Sequence, residues 1–142
     1  MPKAISLENG VVLDHLRPGN GLRVLNGLSP YLGQAQAVLL VNVFSRRCGS
    51  KDMIQLTGAD GLELDLVGLI APETTVNVIS AGKVVRKQQI GLPRIVQGAF
   101  SCSNPCCISN SDGYAKPLFR LVNADSKEYI CPYCEEITQF HP

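Results

Sequence analysis

Four cysteines in the last third of the chain, Cys102, Cys107, Cys131 and Cys134, form two short-spaced pairs. Four residues separate the first pair, two separate the second, and 23 lie between the pairs. A cysteine pair at such spacing folds back as a knuckle, and two knuckles supply the four sulfur ligands of a closed, tetrahedral zinc site. A closed site leaves no position for water or substrate, so its role is structural. Spacing alone leaves one ligand open. Cys106 adjoins Cys107, and either completes a knuckle with Cys102 within the range zinc sites use. A segment of fewer than 50 residues with few large apolar side chains is marginal by itself. Its metal then supplies part of its folding free energy.

Other reactive residue types are sparser. Asp14 and His15 are adjacent in a β-type run, where alternation sends neighbouring side chains to opposite faces, so a catalytic dyad is not expected. Lys51, Lys83, Arg86 and Lys87 lie in strand-like segments and read as a solvated face or, taken together, as an anion site. No Gly-rich phosphate loop, Ser-His-Asp arrangement or H-E-x-x-H segment is present. Cys48 and Cys106 are the remaining thiols. An enzyme built on either needs a polarising His or Lys nearby, and the chain has only two histidines, one of them at position 141.

Charge divides unevenly along the chain. Residues 1–94 carry ten Lys/Arg against seven Asp/Glu, a balance of +3, whereas residues 95–142 carry three against five, a balance of −2. Four thiolates around one Zn²⁺ add a further −2. A zinc ribbon that binds nucleic acid carries the opposite sign, because phosphate contacts dominate its affinity, so no nucleic acid partner is expected. No apolar run reaches the ~18–20 residues of a membrane span, and the N-terminal residues lack a secretory h-region. A cytoplasmic location without membrane association is expected, where thiols stay reduced and serve as metal ligands.

The positioning elements follow from periodicity. Residues 11–16 form a short strand that ends at the turn formers of Arg17–Gly21. Asn20 is placed to cap a helix carrying Leu22, Val24, Leu25 and Leu28 at helical spacing. Residues 37–43, the most apolar run, predict a buried strand, and residues 52–56 another. Leu62 to Ile70 predicts a second helix stopped by Pro72. Strands at 75–79 and 83–90 flank Ala81-Gly82, a hairpin signal. The order βαββαβ plus one strand predicts a ferredoxin-like α+β domain over residues 1–94. Gly91-Leu92-Pro93 marks the joint to a small all-β, zinc-ribbon-like domain at 95–142, with strands at 118–122 and 128–130.

These residues add up to a resemblance. Residues 9–16, NGVVLDHL, look like the G-x-V-I-D-H-I segment of aspartate carbamoyltransferase regulatory chains. Gly21-Leu22, Asn42-Val43, Lys51-Asp52, the Ile-Ala-Pro at 70–72, the Thr-Val-Asn at 75–77 and Leu92-Pro93 match in order. Residues 102–110, CSNPCCISN, resemble the family's C-x-N-x-x-C-I-[ST]-[NH], and residues 131–135, CPYCE, its C-x-Y-C-E. The resemblance implies Cys107 rather than Cys106 as the fourth ligand, with one structural Zn²⁺ per chain.

The resemblance also implies a non-catalytic regulatory subunit in pyrimidine biosynthesis. Its N-terminal nucleotide-effector domain would pair with a second regulatory chain and bind ATP or CTP. Its zinc domain would dock on the catalytic chain, with Asn104 and Glu135 at that interface, in a dodecamer of six catalytic and six regulatory chains. By position the effector site would take Leu7, Val12, Asp14, His15, Lys51, Asn77, Ile79, Val84 and Lys87. Asp14 would serve the ribose, His15 and Lys87 the phosphates, and Leu7 and Val12 the base. One departure stands out: a lysine of the family pattern falls on Gln55. Gln keeps a hydrogen bond and loses the charge, a difference of about 1.5–3 kcal/mol against an anion. A structural bridge with weakened nucleotide sensing is therefore the alternative. Gly82 stands where the family often has a larger side chain beside the base.

Overall fold

In the computed structural model, which describes residues 8–47, 49–58 and 64–141, the chain divides into two compact units that meet between Gly91 and Leu92. The first contains β1 (Gly10–Leu16), α1 (Asn20–Leu32), β2 (Gln36–Ser45), β3 (Gly49–Thr57), α2 (Leu64–Ile70), β4 (Thr75–Ser80) and β5 (Lys83–Gln89). Its sheet has the order β2-β3-β1-β4-β5 with every neighbouring pair antiparallel. This is the ferredoxin-like arrangement, extended by β5 beyond β4. The predicted start of the second helix at Leu62 lies outside the described residues.

Strand alternation builds the core. Leu13 pairs with Ile54 on one side and Val76 on the other, and all three are buried. α1 lays Gly21, Val24 and Leu28 on that face at i, i+3 and i+7 spacing, and α2 adds Val67, Leu69 and Ile70. The two helices come close at Gly27, where an added Cβ would stand 2.9 Å from Ile70 Cδ1. Ala81 and Gly82 both take positive φ, 51° and 75°, as the two central residues of the predicted hairpin turn must.

Three expectations are corrected. The apolar run at 37–43 is not a central strand: β2 is a sheet edge, with Val41 56% and Phe44 70% exposed. Leu22 is 55% exposed, because the buried face of α1 runs through Gly21 instead. Asn20 does not cap α1; its Nδ2 donates to Glu73 Oε2 at 2.9 Å. The cap is Asp52, which is almost fully buried. Its Oδ2 accepts from Gly19 N at 2.9 Å and Gly21 N at 3.1 Å, and its Oδ1 from Asn42 N at 3.1 Å. Asn42 has φ 57° inside a bulge of β2, so one carboxylate holds the start of α1 and the distortion of the edge strand together. Gly21 must be glycine here: a Cβ would lie 2.8 Å from both Asp52 Cβ and Leu39 Cδ1.

The second unit contains β6 (Ile95–Val96), the one-turn α3 (Ile108–Ser111), β7 (Phe119–Asn123), β8 (Glu128–Ile130) and β9 (Ile137–Gln139), in sheet order β6-β7-β8-β9. Its small core is aromatic. Phe100 packs on Phe119, Tyr129 and Phe140 with ring centroids 4.6, 5.5 and 5.9 Å apart. The Tyr129 hydroxyl donates to the Pro93 carbonyl at 2.6 Å, giving the buried phenol a partner. Among the described residues no helix is long and apolar enough to cross a membrane.

Asp52→Ala removes a charged acceptor from three backbone donors. A loss of roughly 2–4 kcal/mol is expected, read as a lower urea midpoint at unchanged slope. A midpoint equal to that of the parent would show that the carboxylate is not the tie described.

Candidate functional site

The cysteine knuckles are built by backbone turns and two asparagines. Asn110 Nδ2 donates to the carbonyls of Cys102 and Asn104 at 3.0 and 2.7 Å, and Asn104 Oδ1 accepts from Cys106 N at 3.0 Å. In the second knuckle Glu135, at φ 63°, donates its N–H to the Cys131 carbonyl at 2.8 Å. These turns gather Cys102, Cys107, Cys131 and Cys134 so that all four sulfurs lie within 4.8 Å of one another. Cys102 and Cys134 are 3.5 Å apart, Cys107 and Cys131 3.7 Å. Zinc–sulfur bonds of ~2.3 Å set tetrahedral edges of roughly 3.8 Å, so the cluster fits a structural metal such as zinc. Cys106 stays outside it and exposed. Cys48 lies outside the described residues.

The thiols are not equivalent. Ser109 bonds Cys107 through its hydroxyl, at 3.0 Å, and its backbone N–H, and lowers the thiol pKa to about 7. Burial pushes Cys102 up to about 12 against a backbone bond from Asn104, and the neighbouring thiols raise it further. Cys107 thus gives up its proton more readily than Cys102, and a metal must displace protons from the cluster as it binds.

In the first unit, the sheet face opposite the helices carries the second group of residues. Val12 pairs with Gln55 on β3 and with Asn77 on β4, and Asn77 in turn with Lys87 on β5. Cross-strand partners share a face, so these four form one row, and the Ile79–Val84 pair lies beside it. Gln55 Oε1 and Asn77 Oδ1 are buried with no hydrogen-bond partner among the described residues. Lys87 and Val84 are exposed. Lys51 and Asp14 are both buried and form an ion pair at 2.9 Å. Leu7 lies outside the described residues.

His15 departs from simple alternation. A bulge between Leu13 and Leu16 places it at φ 62°. Its N–H donates to Asp14 Oδ1 at 2.7 Å, while its Nδ1 meets Thr75 Oγ1 at 3.1 Å. The ring therefore has Thr75, not Asp14, as its partner, but the bulge turns it to the same cleft as Lys51. That cleft, about 390 Å³, is lined by His15, Arg17, Arg47, Lys51, Glu73 and Gln89 among others. Burial lowers the His15 pKa most; the Asp14 charge opposes this, and Lys51, Arg47 and Lys87 lower it further. Of the four basic residues singled out in the sequence, Lys51 and Lys87 both act on His15. Lys83 and Lys87 are exposed on the edge strand, and Arg86 alternates to the other face.

A family model for the aspartate carbamoyltransferase regulatory chain, allosteric domain, matches residues 3–91. A second, for the metal binding domain of the same chain, matches residues 94–141. The chain belongs to the aspartate carbamoyltransferase regulatory-chain family. It is 37% identical over 131 residues to the regulatory chain of Bifidobacterium longum, covering 92% of this chain and 94% of that one. Identity to the Clostridium acetobutylicum regulatory chain is 37% over 134 residues, covering 93% and 90%. For that of Caldivirga maquilingensis it is 39% over 131 residues, covering 90% and 80%. Both matching families are regulatory, not catalytic, and a regulatory chain implies a catalytic-chain partner.

Sequence reasoning did not single out Asp52 as the cap of α1, or Arg17 and Arg47 as lining one cleft with His15 and Lys51. Asp52 had a local signal, an acid inside an apolar strand run. The two arginines had none, because 29 intervening residues separate them in the chain and only the sheet register joins them.

Cys106→Ser is expected to retain one metal ion per chain by atomic absorption, whereas Cys107→Ser or Cys131→Ser loses it. Chelation of the parent should abolish the near-UV signal of the aromatic core in the second unit. Metal retained by Cys107→Ser and lost by Cys106→Ser would reverse the ligand assignment.

Proposed function

We propose that the chain binds ATP- or CTP-type effectors in its first unit and bridges catalytic trimers through a zinc-held second unit. The observation that carries the effector half is the buried Asp14–Lys51 ion pair, opening into a cleft that His15 also lines. A buried ion pair contributes little net stability, so its placement is better explained by a ligand. Asp14 offers an acceptor to ribose hydroxyls, Lys51 a donor beside it, and Val12 an apolar patch for the base. Asn77, Ile79, Val84 and Lys87 continue the same face.

For the bridging half, the second unit combines an acidic balance with half-exposed apolar side chains. Ile95, Leu118, Tyr133 and Ile137 are each about half exposed, and Glu135 lies beside the second knuckle. Zn²⁺ on Cys102, Cys107, Cys131 and Cys134 would fix the turns that present them. The exposed edge of β2, with Val41 and Phe44, suits pairing with a second regulatory chain, in a dodecamer of six catalytic and six regulatory chains in the cytoplasm. The acidic balance argues against nucleic acid as the partner.

A second reading keeps the bridge and weakens the sensing. It is favoured by Gln55, which places an uncharged amide, its Oε1 without a partner among the described residues, where the family pattern has a lysine.

Mixing the metal-loaded chain with catalytic trimers should yield a larger particle by light scattering, and CTP or ATP should then shift the aspartate half-saturation. Absence of any larger particle overturns the proposal. Assembly with no nucleotide effect selects the structural bridge.

A further inference from the structure

The missing charge at Gln55 has a counterpart at the other end of the same sheet face. Lys51 is already paired with Asp14 at 2.9 Å, which leaves little of its charge for an incoming anion. Glu73 is engaged as well: its Oε2 accepts from Arg17 N at 3.1 Å and from Asn20 Nδ2 at 2.9 Å. Arg17 and Arg47 are both exposed and both line the cleft, and neither forms an ion pair among the described residues. A cleft of about 390 Å³ with two uncommitted guanidiniums suits a polyphosphate, which each arginine can take with two parallel N–H bonds.

The walls are held. Arg17 precedes the Pro18-Gly19 turn that Asp52 fixes through Gly19 N. Arg47 follows Ser45, which closes the β2–β3 ladder by pairing with Gly49. His15, in a left-handed conformation that costs a non-glycine residue of order 1–3 kcal/mol, lines the same cleft with its ring bonded to Thr75. Strain held by surrounding structure at a charged cleft is the mark of a binding surface.

We propose that Arg17 and Arg47 clamp the terminal phosphates of the effector, supplying at the mouth of the cleft the charge that Gln55 does not supply beside the base. The proposal rests on the effector-site reading above and moves the phosphate-binding charge from the row of Val12 to the turns at the end of β1. Effector sensing then survives the Gln55 departure, because a different pair of cations meets the polyphosphate.

The test is calorimetric titration of the full metal-loaded chain with ATP, AMP and inorganic triphosphate, for the parent and for Arg17→Ser, Arg47→Ser and the double variant. Both arginines are exposed, so folding should be retained, checked by circular dichroism and metal content. Each single substitution should weaken ATP and triphosphate by roughly 10-fold, and the double by more. AMP binding should change little. Loss of the ATP-over-AMP preference in the double variant supports the clamp. An ATP-over-AMP ratio unchanged in the double variant overturns it, while leaving the effector site itself standing. Binding of triphosphate that depends on both arginines, with no binding of either nucleotide, keeps the clamp and removes the nucleotide-effector reading. Absence of triphosphate binding to the parent overturns the clamp.

Discussion

The carboxylate of Asp52 is the constraint on which the first unit and its cleft both depend. A buried charge is tolerated only where donors replace its water, and here three backbone N–H groups do so. Two come from the turn that starts α1 and one from the bulge of β2. The same bonds therefore fix the turn after Arg17 and the strand that leads to Arg47. Lys51, next in the chain, points to the opposite face and pairs with Asp14. One dipeptide thus secures the helix side of the sheet and supplies the ion pair on the opposite face. Gly21 is the corresponding cost in sequence freedom, because any side chain there would collide with Asp52.

Much of the fold was legible because its signals are local. The hairpin at Ala81-Gly82 needs two positive φ values, and the sequence advertises them. The β and α periods of the first unit follow from alternation and from the i, i+3, i+7 stripe of α1. What periodicity cannot show is the position of a strand in the sheet. Residues 37–43 are apolar enough for a core strand, yet β2 is an edge, and Val41 and the following Phe44 are exposed. Asn20 has the chemistry of a cap, but Asp52, 32 positions later, takes that role through tertiary contact.

The site was legible to different depths in the two units. Cysteine knuckles are local turns, so four sulfurs converging within 4.8 Å followed from spacing. Only the family pattern chose between Cys106 and Cys107, since both spacings are sterically allowed; the geometry places Cys107 in the cluster, bonded to Ser109. The face that carries Lys51 and the cleft beside it depends instead on register and on one bulge. Alternation alone separates Asp14 from His15; the positive φ of His15 undoes that and brings its ring to the cleft of Lys51. A net balance of +3 over residues 1–94 said that cations were available, without saying that Arg17 and Arg47 would share a cleft.

The two units match the allosteric and the metal binding domains of the regulatory-chain family. The second is built on the four-cysteine cluster and small aromatic contacts; in the first, Asp52 ties the start of α1 to the bulge of β2. The most direct measurement is a crystal structure of the metal-loaded chain with ATP bound. Terminal phosphate oxygens within hydrogen-bonding distance of the Arg17 and Arg47 guanidiniums, with the ribose at Asp14 and Lys51, are the expected result. Terminal phosphates lying along Lys87, with both arginines in solvent, would contradict it.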